Sequence, residues 1–562
     1  MIVRRHKLTM RIVLALPLLQ LLSWRQTAAF TGPSLLPRND HTVTTMTSST
    51  RLYSAVSAPP TPTKASEISQ VDEISPENPL KVLIAGGGVG GLALAKVLSK
   101  NPNMAVTVLE QTSEFKRFGG PIQLASNALQ LLKVMDEKVY NEICEKFTTT
   151  GDKMNGIKDG IRSEWYAKFD LKTPAEKRNM PYTGVIDRPD LQSIYLDNLP
   201  AGTVKNGDAV ARYEHVESGI GGVKAVLESG NVITGDVLIG ADGIWSAVRA
   251  TMRDAPRRGD GSGATYSGYT LFAGELKYDS FDHGEVGYKV YIGPNQYFVV
   301  TDIGNDMYQW YAFLARPPGS ADSIEKPEGT SKYLQDIFAG WSDEIHHILK
   351  ATQEHEIEQR DLYDRPPSVM KSWTDGRVAL LGDGIHAMMP NLGQGGCQAI
   401  EDAFVINQEL SEATKRSEVV SKLQNYQRRR LIRSAAVQGL SRFASDIIIR
   451  GFDTPAKIVR DENGIRFENF NYAGIVTRML QPILPIFFVV QFNFLYDGWE
   501  NKRSVDLASA LGFLLVGGLI ATLSVGTLGE AGLGVGLGAD AVFGTEGLLD
   551  FDAIVSSIQD FF

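Results

Sequence analysis

A cluster of glycines near residue 90 has the spacing needed to hold a phosphate group. The segment 86–91 matches the pattern G-x-G-x-x-G directly after the apolar run 81–85, and it opens the helix-forming run 92–98. Glycines in such a turn let backbone amides approach a pyrophosphate, and the helix N-terminus adds partial positive charge. About twenty residues later a second apolar run ends in a glutamate, whose carboxylate can accept hydrogen bonds from a ribose diol. The pattern predicts a dinucleotide site formed by Gly86, Gly88, Gly90, Gly91 and Glu110.

Two later segments each join an apolar run to an Asp-Gly or Gly-Asp pair. The run 236–241 leads into Asp242 and Gly243, with Ser246 and Arg249 shortly after. This spacing predicts a strand followed by a turn that Asp242 and Ser246 cap. The second run, 376–382, delivers Asp383 to the end of a predicted strand. A glycine-rich loop then precedes another helix.

These three segments together resemble the single-component flavoprotein hydroxylases, a family of FAD-dependent monooxygenases. The resemblance implies an α/β fold, in which a Rossmann-like FAD-binding domain carries an inserted antiparallel β-sheet substrate domain and a helical, apolar C-terminal region follows. It also implies that Asp242 and Asp383 lie at the cofactor, Asp383 on the ribitol chain. The loop and helix N-terminus would approach the isoalloxazine ring through Pro390, Gly393, Gly395 and Gly396.

Within that family the chain is most similar to the zeaxanthin epoxidases. The similarity covers about residues 80–440 and includes the segments 120–129, 187–192, 266–270, 296–299 and 309–313. It implies that Gln123 and Arg188 contact the flavin side of the site. Two departures are visible: position 119 is glycine where the plant pattern has arginine, and the C-terminus has no recognisable phosphopeptide-binding module.

The resemblance implies a reaction in which FAD carries the difficult chemistry. Dioxygen activated at the reduced flavin supplies one oxygen atom to a ring double bond of an apolar xanthophyll such as zeaxanthin, antheraxanthin or diatoxanthin. Such a step requires no enzymic nucleophile, so we predict no catalytic side chain and no metal site. Only one dinucleotide fingerprint occurs, so NADPH would bind transiently, or reduced ferredoxin would supply the electrons. We interpret His386 and Cys397 as packing residues.

Composition narrows the classes of protein that the chain can represent. The net charge of -9 provides no basic field for nucleic acid. Two cysteines exclude a disulfide framework and a cysteine-rich metal site within this chain. Residues 4–29 combine basic residues, a short apolar run and small residues, and a Ser/Thr-rich stretch with one acidic residue follows to about residue 62. This bipartite leader predicts import into a plastid.

The patterns divide the chain into six predicted segments. They are a signal peptide (1–29), a transit-peptide-like leader (30–65), the first part of the FAD-binding domain (80–262), the substrate domain (263–365), the second part of the FAD-binding domain (366–442) and a helical apolar region (443–562). In the last segment 480–496 and 507–529 are uncharged. The second of these is long enough to span a bilayer, so either a membrane span or a buried helical hairpin is possible, and we predict contact with the thylakoid membrane.

Two other interpretations share the glycine fingerprint. A flavoprotein hydroxylase of small aromatic acids would have every flavin motif, although a soluble phenolic substrate requires no membrane access. A non-catalytic binding protein with the flavoprotein fold would keep the glycine loop and lose the flavin-facing elements. Here Asp383 and the loop 390–396 are both intact. A bound flavin would separate the second interpretation from the enzymes.

Overall fold

The computed structural model describes residues 72–115, 120–217, 221–278, 282, 284–293, 295–450, 457–461, 464–468 and 484–500. The predicted leader segments 1–29 and 30–65 and the apolar segment 507–529 lie outside these residues. The departure at position 119 lies outside them as well.

A mostly parallel sheet of six strands forms the centre of the nucleotide-binding part. In spatial order its strands are β18 (Thr374–Asp375), β19 (Val378–Leu380), β12 (Val237–Gly240), β1 (Leu80–Ala85), β2 (Met104–Glu110) and β8 (Val204–Asn206). Only β18 pairs antiparallel to its neighbour. The strand β1 is apolar at five of six positions because both faces of the sheet are covered.

Alternate residues of β1 pack against two different layers. Val82 and Ile84 belong to the core formed with helices, whereas Leu83 and Ala85 belong to a second core. That second core lies under a three-stranded sheet of β9 (Val210–Val216), β10 (Gly222–Leu227) and β11 (Val232–Gly235). The period of two along a strand therefore places the helices on one face and the small sheet on the other.

The helices and short 3₁₀ turns lie between and around the sheets. The helices are α1 (Val89–Leu98), α2 (Ser126–Met135), α3 (Glu137–Lys146), α4 (Lys172–Glu176), α5 (Arg188–Asp197), α6 (Ala247–Arg253), α7 (Ser320–Ser323), α8 (Thr330–Ile337), α9 (Asp343–Ala351), α10 (Asp383–His386), α11 (Gly395–Ser411), α12 (Val419–Arg450) and α13 (Leu484–Asp497). The 3₁₀ turns are Glu354–Glu356, Pro390–Leu392 and Arg416–Glu418.

A seven-stranded sheet forms the second large layer. Its spatial order is β17 (Glu358–Asp364), β13 (Thr265–Lys277), β16 (Met307–Ala315), β15 (Gln296–Gly304), β14 (Val286–Gly293), β5 (Met154–Asp159) and β6 (Trp165–Phe169). The predicted antiparallel meander is present in β14, β15 and β16, whereas β13 pairs antiparallel to β16 and not to β14. The sheet also takes β5 and β6 from the segment 80–262, and β5 pairs parallel to β14.

Two smaller sheets complete the described structure. One joins β3 (Ile122–Leu124), β7 (Gly184–Ile186) and β4 (Thr148–Thr149), and the other is the hairpin of β20 (Lys457–Asp461) and β21 (Gly464–Glu468). The hairpin lies in the region predicted to be helical. The first of these sheets pairs β3 with β7, which ends two residues before α5 begins.

Residues 484–496 of the apolar run at 480–496 belong to helix α13, which packs on the protein, and residues 480–483 lie outside the described residues. At the end of α13, Arg178 pairs with Asp497, and the hydroxyl groups of Thr183 and Tyr496 lie 3.3 Å apart. The side chains of Phe494, Leu495 and Tyr496 are buried. Among the residues that the structure describes, no helix has the length and apolar character needed to cross a bilayer.

Arg416 ties the first described residues to the central sheet. Its fully buried guanidinium lies 3.2 Å from Asp236 and donates to the carbonyl oxygens of Glu73 and Pro79. Replacing Arg416 with leucine should lower the free energy of unfolding by roughly 3–5 kcal/mol, because it leaves the buried Asp236 carboxylate without its cation. Chemical denaturation measures this loss. Arg428→Leu, at an exposed position of α12, is the control and should change stability by less than about 0.5 kcal/mol.

Candidate functional site

The glycine turn is packed tightly on its protein side and open on the other. A Cβ atom added at Gly86, where φ is +103°, would lie 2.5 Å from the carbonyl oxygen of Ala241, and one at Gly91 would lie 2.1 Å from the carbonyl oxygen of Gly86. At Gly90 the neighbour is a leucine methyl group at 2.5 Å. A Cβ at Gly88 would meet nothing within 4 Å. The glycines therefore serve two purposes, close packing of strand and helix and free approach to the backbone at Gly88.

Glu110 holds the shape of the glycine turn. Its carboxylate accepts a hydrogen bond of 2.6 Å from the backbone N–H of Gly87 and one of 2.9 Å from that of Thr112. The residue is 7% exposed. The glutamate lies beside the turn, as its place at the end of β2 predicts. Its bond to a ribose diol stays a prediction.

Asp242 and Ser246 cap α6 as the sequence predicts. One oxygen of Asp242 accepts from the backbone N–H of Ala247 at 2.7 Å, and Ser246 Oγ accepts from that of Arg249 at 2.9 Å. The other oxygen of Asp242 is buried without a hydrogen-bond partner among the described residues. Burial raises the pKa of Asp242, against the hydrogen bonds from Ser246 and the amides. The Asp242 turn also touches the glycine turn at Gly86.

Asp383 follows the carboxyl end of β19, and we call the accessible space between its side chain, the glycine turn 86–91 and the loop 390–396 the cofactor cleft. The strand β19 ends at residue 380, and Gly382, with φ of +60°, turns the chain so that α10 begins at Asp383. The side chain is accessible although protein surrounds it, and burial raises its pKa while His386, Arg188 and Arg365 oppose that rise. Because β1, β12 and β19 are parallel, their carboxyl ends place Asp383, Asp242 and the glycine turn at one edge of the sheet.

Arg188 lies near enough to Asp383 for their charges to interact. It is the first residue of α5, and its buried Nε has no hydrogen-bond partner among the described residues. Burial lowers the pKa of Arg188, and the charge of Asp383 opposes this effect. A buried guanidinium nitrogen beside an accessible carboxylate indicates a place for a polar ligand.

The glycine-rich loop between α10 and α11 passes close to residues of β3. The turn Pro390–Leu392 is followed by Gly393 with φ of +60°, and a Cβ there would lie 2.6 Å from the side-chain carbonyl carbon of Gln123. A Cβ at Gly395 would meet nothing within 4 Å, and one at Gly396 would lie 3.4 Å from a methyl group of Ile122. The 17-residue helix α11 begins at Gly395, so the amides of its first turn have no intrahelical acceptors and carry partial positive charge.

The match to a known family now identifies the ligand class. Residues 79–441 match the FAD binding domain family. The chain belongs to this family. Among curated relatives, chloroplastic zeaxanthin epoxidase of Solanum lycopersicum is 42% identical over 400 residues, which cover 69% of this chain and 58% of the relative. The enzyme of the same name from Arabidopsis thaliana is 44% identical over 369 residues, 64% of this chain and 53% of the relative. The match thus spans little more than half of these relatives.

Solved structures of flavoproteins share the fold. Klebsiella pneumoniae HpxO complexed with FAD and uric acid aligns with a TM-score of 0.59 at 21% identity, covering 78% of this chain and 97% of that chain. A salicylate hydroxylase substrate complex aligns with a TM-score of 0.58 at 21% identity, covering 78% and 98%. The predicted α/β flavoprotein fold and the predicted FAD cofactor are confirmed.

The residues of the cleft fit FAD. The open side of Gly88 and the free amides at Gly395 suit phosphate and the electron-rich edge of a flavin, and both lie at helix N-termini. The accessible Asp383 carboxylate suits a chain of hydroxyl groups, and the buried Nε of Arg188 lacks an acceptor that such a ligand can supply. The individual contacts of these residues with FAD stay predictions.

Sequence reasoning missed a buried charge cluster directly behind the cleft. The cluster consists of Glu401 and Asp402 on α11, Arg430 and Arg433 on α12, and His386 on α10, all at most 5% exposed. His386 Nε2 and Asp402 Oδ2 lie 2.7 Å apart, so the histidine is held behind the cleft wall. Cys397 is also buried, and burial raises the pKa of its thiol to about 12, which fits a packing residue.

Proposed function

We propose that this chain is an FAD-dependent monooxygenase that epoxidises the ring double bond of xanthophylls. The observation that supports the proposal is a buried apolar and aromatic face of the seven-stranded sheet, which lies beside the loop 390–396. Its residues are each at most 9% exposed, Met389 at the start of the loop packs among them, and the others are Ile157, Tyr269, Leu271, Val290, Ile292, Tyr297, Val299 and Phe313. The similarity to zeaxanthin epoxidases supports the same reaction.

The sheet face is attached to the cofactor loop. The Tyr297 hydroxyl donates to the side-chain oxygen of Asn391 at 2.9 Å, and its ring stacks on Phe313 with centroids 4.1 Å apart. An apolar ligand on this face would lie against the loop that carries Pro390 and Gly393. Such a surface suits a carotenoid ring and excludes water, which protects an activated oxygen species from side reactions.

The residues of the site would bind and orient rather than exchange protons. When bound and reduced, FAD would activate dioxygen, which supplies the oxygen atom that is transferred. Asp383 and Arg188 would fix the cofactor, and the amides at the start of α11 would stabilise negative charge on its ring. The sheet face would hold the double bond against that ring. No side chain is required as a nucleophile.

The reductant, compartment and membrane contact belong to the same proposal. We propose NADPH or reduced ferredoxin as the electron donor, since one dinucleotide fingerprint is present and FAD would occupy it. The leader-like segment 1–65 and the chloroplastic relatives support a plastid location. The uncharged segment 507–529 supports association with the thylakoid surface, through which an apolar substrate would arrive.

The test uses the full chain with FAD, lipid, zeaxanthin, oxygen and, in parallel reactions, NADPH or reduced ferredoxin. Products gaining one or two oxygen atoms by mass, with a blue-shifted carotenoid spectrum, are expected. A flavin that is reduced and reoxidised while every xanthophyll stays unchanged would contradict the substrate and favour a hydroxylase of small aromatic acids.

The Arg188 side chain should lower the stability of the apoprotein and raise its affinity for FAD. Replacing it with methionine removes a buried guanidinium nitrogen that has no hydrogen-bond partner in the described part of the chain, so the apoprotein should become more stable by about 1 kcal/mol. FAD should bind about tenfold more weakly, because a charge-assisted hydrogen bond is lost. Denaturation of the apoprotein and FAD titration measure the two effects. An apoprotein that loses stability would show that the arginine is structural.

A further inference from the structure

The buried charge cluster connects two parts of the molecule that are distant in sequence. At one end Asp402 Oδ2 accepts a 2.9 Å hydrogen bond from the backbone N–H of Gly382, the residue before Asp383. At the other end Arg433 donates to the carbonyl oxygens of Phe494 and Leu495 at 3.0 and 2.8 Å. These carbonyls belong to the last turn of α13, and that of Phe494 also accepts a hydrogen bond of 3.3 Å from the backbone N–H of Gly498.

The links between these ends are direct and charged. Arg430 Nε donates to Asp402 Oδ1 at 2.7 Å, and another nitrogen of Arg430 donates to Glu401. Arg433 donates two parallel hydrogen bonds of 2.7 and 2.8 Å to the carboxylate of Glu401. The chain of contacts from Gly382 to α13 therefore runs through two carboxylates and two guanidinium groups without a gap.

The geometry at Arg433 leaves little freedom for α13 to move alone. The guanidinium lies 5.2 Å from the centroid of the Phe494 ring, and a Cβ added at Gly498 would lie 2.2 Å from Arg433 Nη1. Nε and Nη2 of Arg433 donate to the carboxylate of Glu401. Nη1 and Nη2 donate to the carbonyl oxygens of Phe494 and Leu495, respectively. A shift of α13 would thus disturb the bonds to Glu401, and a shift of Glu401 would disturb α13.

We propose that Arg433 is a positioning residue that couples the docking of helix α13 to the Gly382–Asp383 segment of the cofactor cleft. A cofactor that binds Asp383 would restrict the movement of the neighbouring Gly382. Through the charge cluster it would also restrict the movement of Arg433, to which α13 is hydrogen-bonded. Such coupling is reciprocal, so a docked α13 strengthens FAD binding by the same factor. The inference rests on the FAD site described above and not on the proposed epoxidation.

The test measures backbone hydrogen exchange of residues 488–497 in the full chain, with and without FAD, in the wild type and two variants. In the wild type FAD should slow this exchange by at least about fivefold. Arg433→Lys keeps the positive charge and loses the fork, so the FAD-dependent slowing should disappear and the Kd for FAD should rise by a similar factor.

Arg178→Lys is the matched control, because Arg178 lies outside α13 and contacts the same helix at other residues. Arg178 binds Asp497 and Asn493 from α13, and its other hydrogen bond among the described residues goes to the carbonyl oxygen of Pro174. Exchange in α13 should therefore become faster in both states while the response to FAD remains. An unchanged exchange rate in the wild type on adding FAD would overturn the proposal, and so would a response that survives in Arg433→Lys or disappears in Arg178→Lys.

If Arg433→Lys does not fold, two other measurements still test the proposal. The wild-type measurement alone can contradict it, and Asp402→Asn probes the opposite end of the chain of contacts while keeping an acceptor for Gly382. Asp402→Asn should also abolish the response of α13 to FAD, and a retained response would overturn the coupling. No xanthophyll is present, so a failure of the proposed reaction would leave these outcomes unaffected.

Discussion

Replacing Gly91 with alanine is expected to abolish tight FAD binding. The added methyl carbon would lie 2.1 Å from the carbonyl oxygen of Gly86 and 3.4 Å from the Cβ atom of Ala241. Backbone atoms cannot yield by the ångström or more that this contact requires, so the glycine turn must change shape. We expect the Kd for FAD to rise at least about a hundredfold, which corresponds to roughly 2.7 kcal/mol. The apoprotein should lose roughly 1–3 kcal/mol of stability as well.

Gly88→Ala distinguishes an effect on FAD binding from an effect on the stability of the fold. The backbone at Gly88 has φ of -73° and ψ of -179°, which alanine adopts without strain, and the methyl group would point into open space. The apoprotein should therefore keep its stability within about 0.5 kcal/mol. FAD affinity should still fall, because the methyl group occupies the space through which phosphate approaches the amides. Wild-type FAD affinity in either variant would contradict the proposed position of the pyrophosphate.

The elements that the sequence predicts well are those whose physical cause is local. The turn 86–91 can be predicted from the sequence because the strand, the glycine spacing and the helix follow each other within about twenty residues. The cap of α6 by Asp242 and Ser246 is readable for the same reason. The segment around Asp383 is readable because a strand must deliver it to the same edge of a parallel sheet.

The elements that could not be predicted from the sequence depend on contacts with residues far away along the chain. Arg430 and Arg433 stand next to Arg428 and Arg429 in a basic stretch that is typical of a solvated helix face, and only the packing of α12 on α11 buries two of them. The entry of β5 into the seven-stranded sheet depends on β14, more than a hundred residues later. Glu110 also has a partner that its position alone does not indicate, the amide of Gly87.

Loss of one charge from the buried cluster should strongly lower the free energy of unfolding. Glu401→Gln leaves the fully buried Arg430 and the nearly buried Arg433 with one carboxylate between them. Breaking a buried ion pair from one side costs roughly 3–5 kcal/mol, because the remaining charge stays desolvated. The measurement is the free energy of unfolding in urea at pH 7. Glu412→Gln, which removes an exposed carboxylate paired with Lys422, is the control and should cost at most about 1 kcal/mol.

The pH dependence of stability tests the same cluster independently. Burial opposes ionisation of Glu401, but Arg433 and Arg430 outweigh it and hold the pKa at about 2, below the ordinary 4.5. A carboxylate with a lowered pKa in the folded state stabilises the protein above its unfolded pKa, and this stabilisation is lost as the pH falls from about 4.5 towards 2. Wild-type stability should therefore fall across that window, and Glu401→Gln should show a smaller fall. An equal fall in both proteins would show that other carboxylates control acid unfolding and that the cluster does not hold Glu401 ionised.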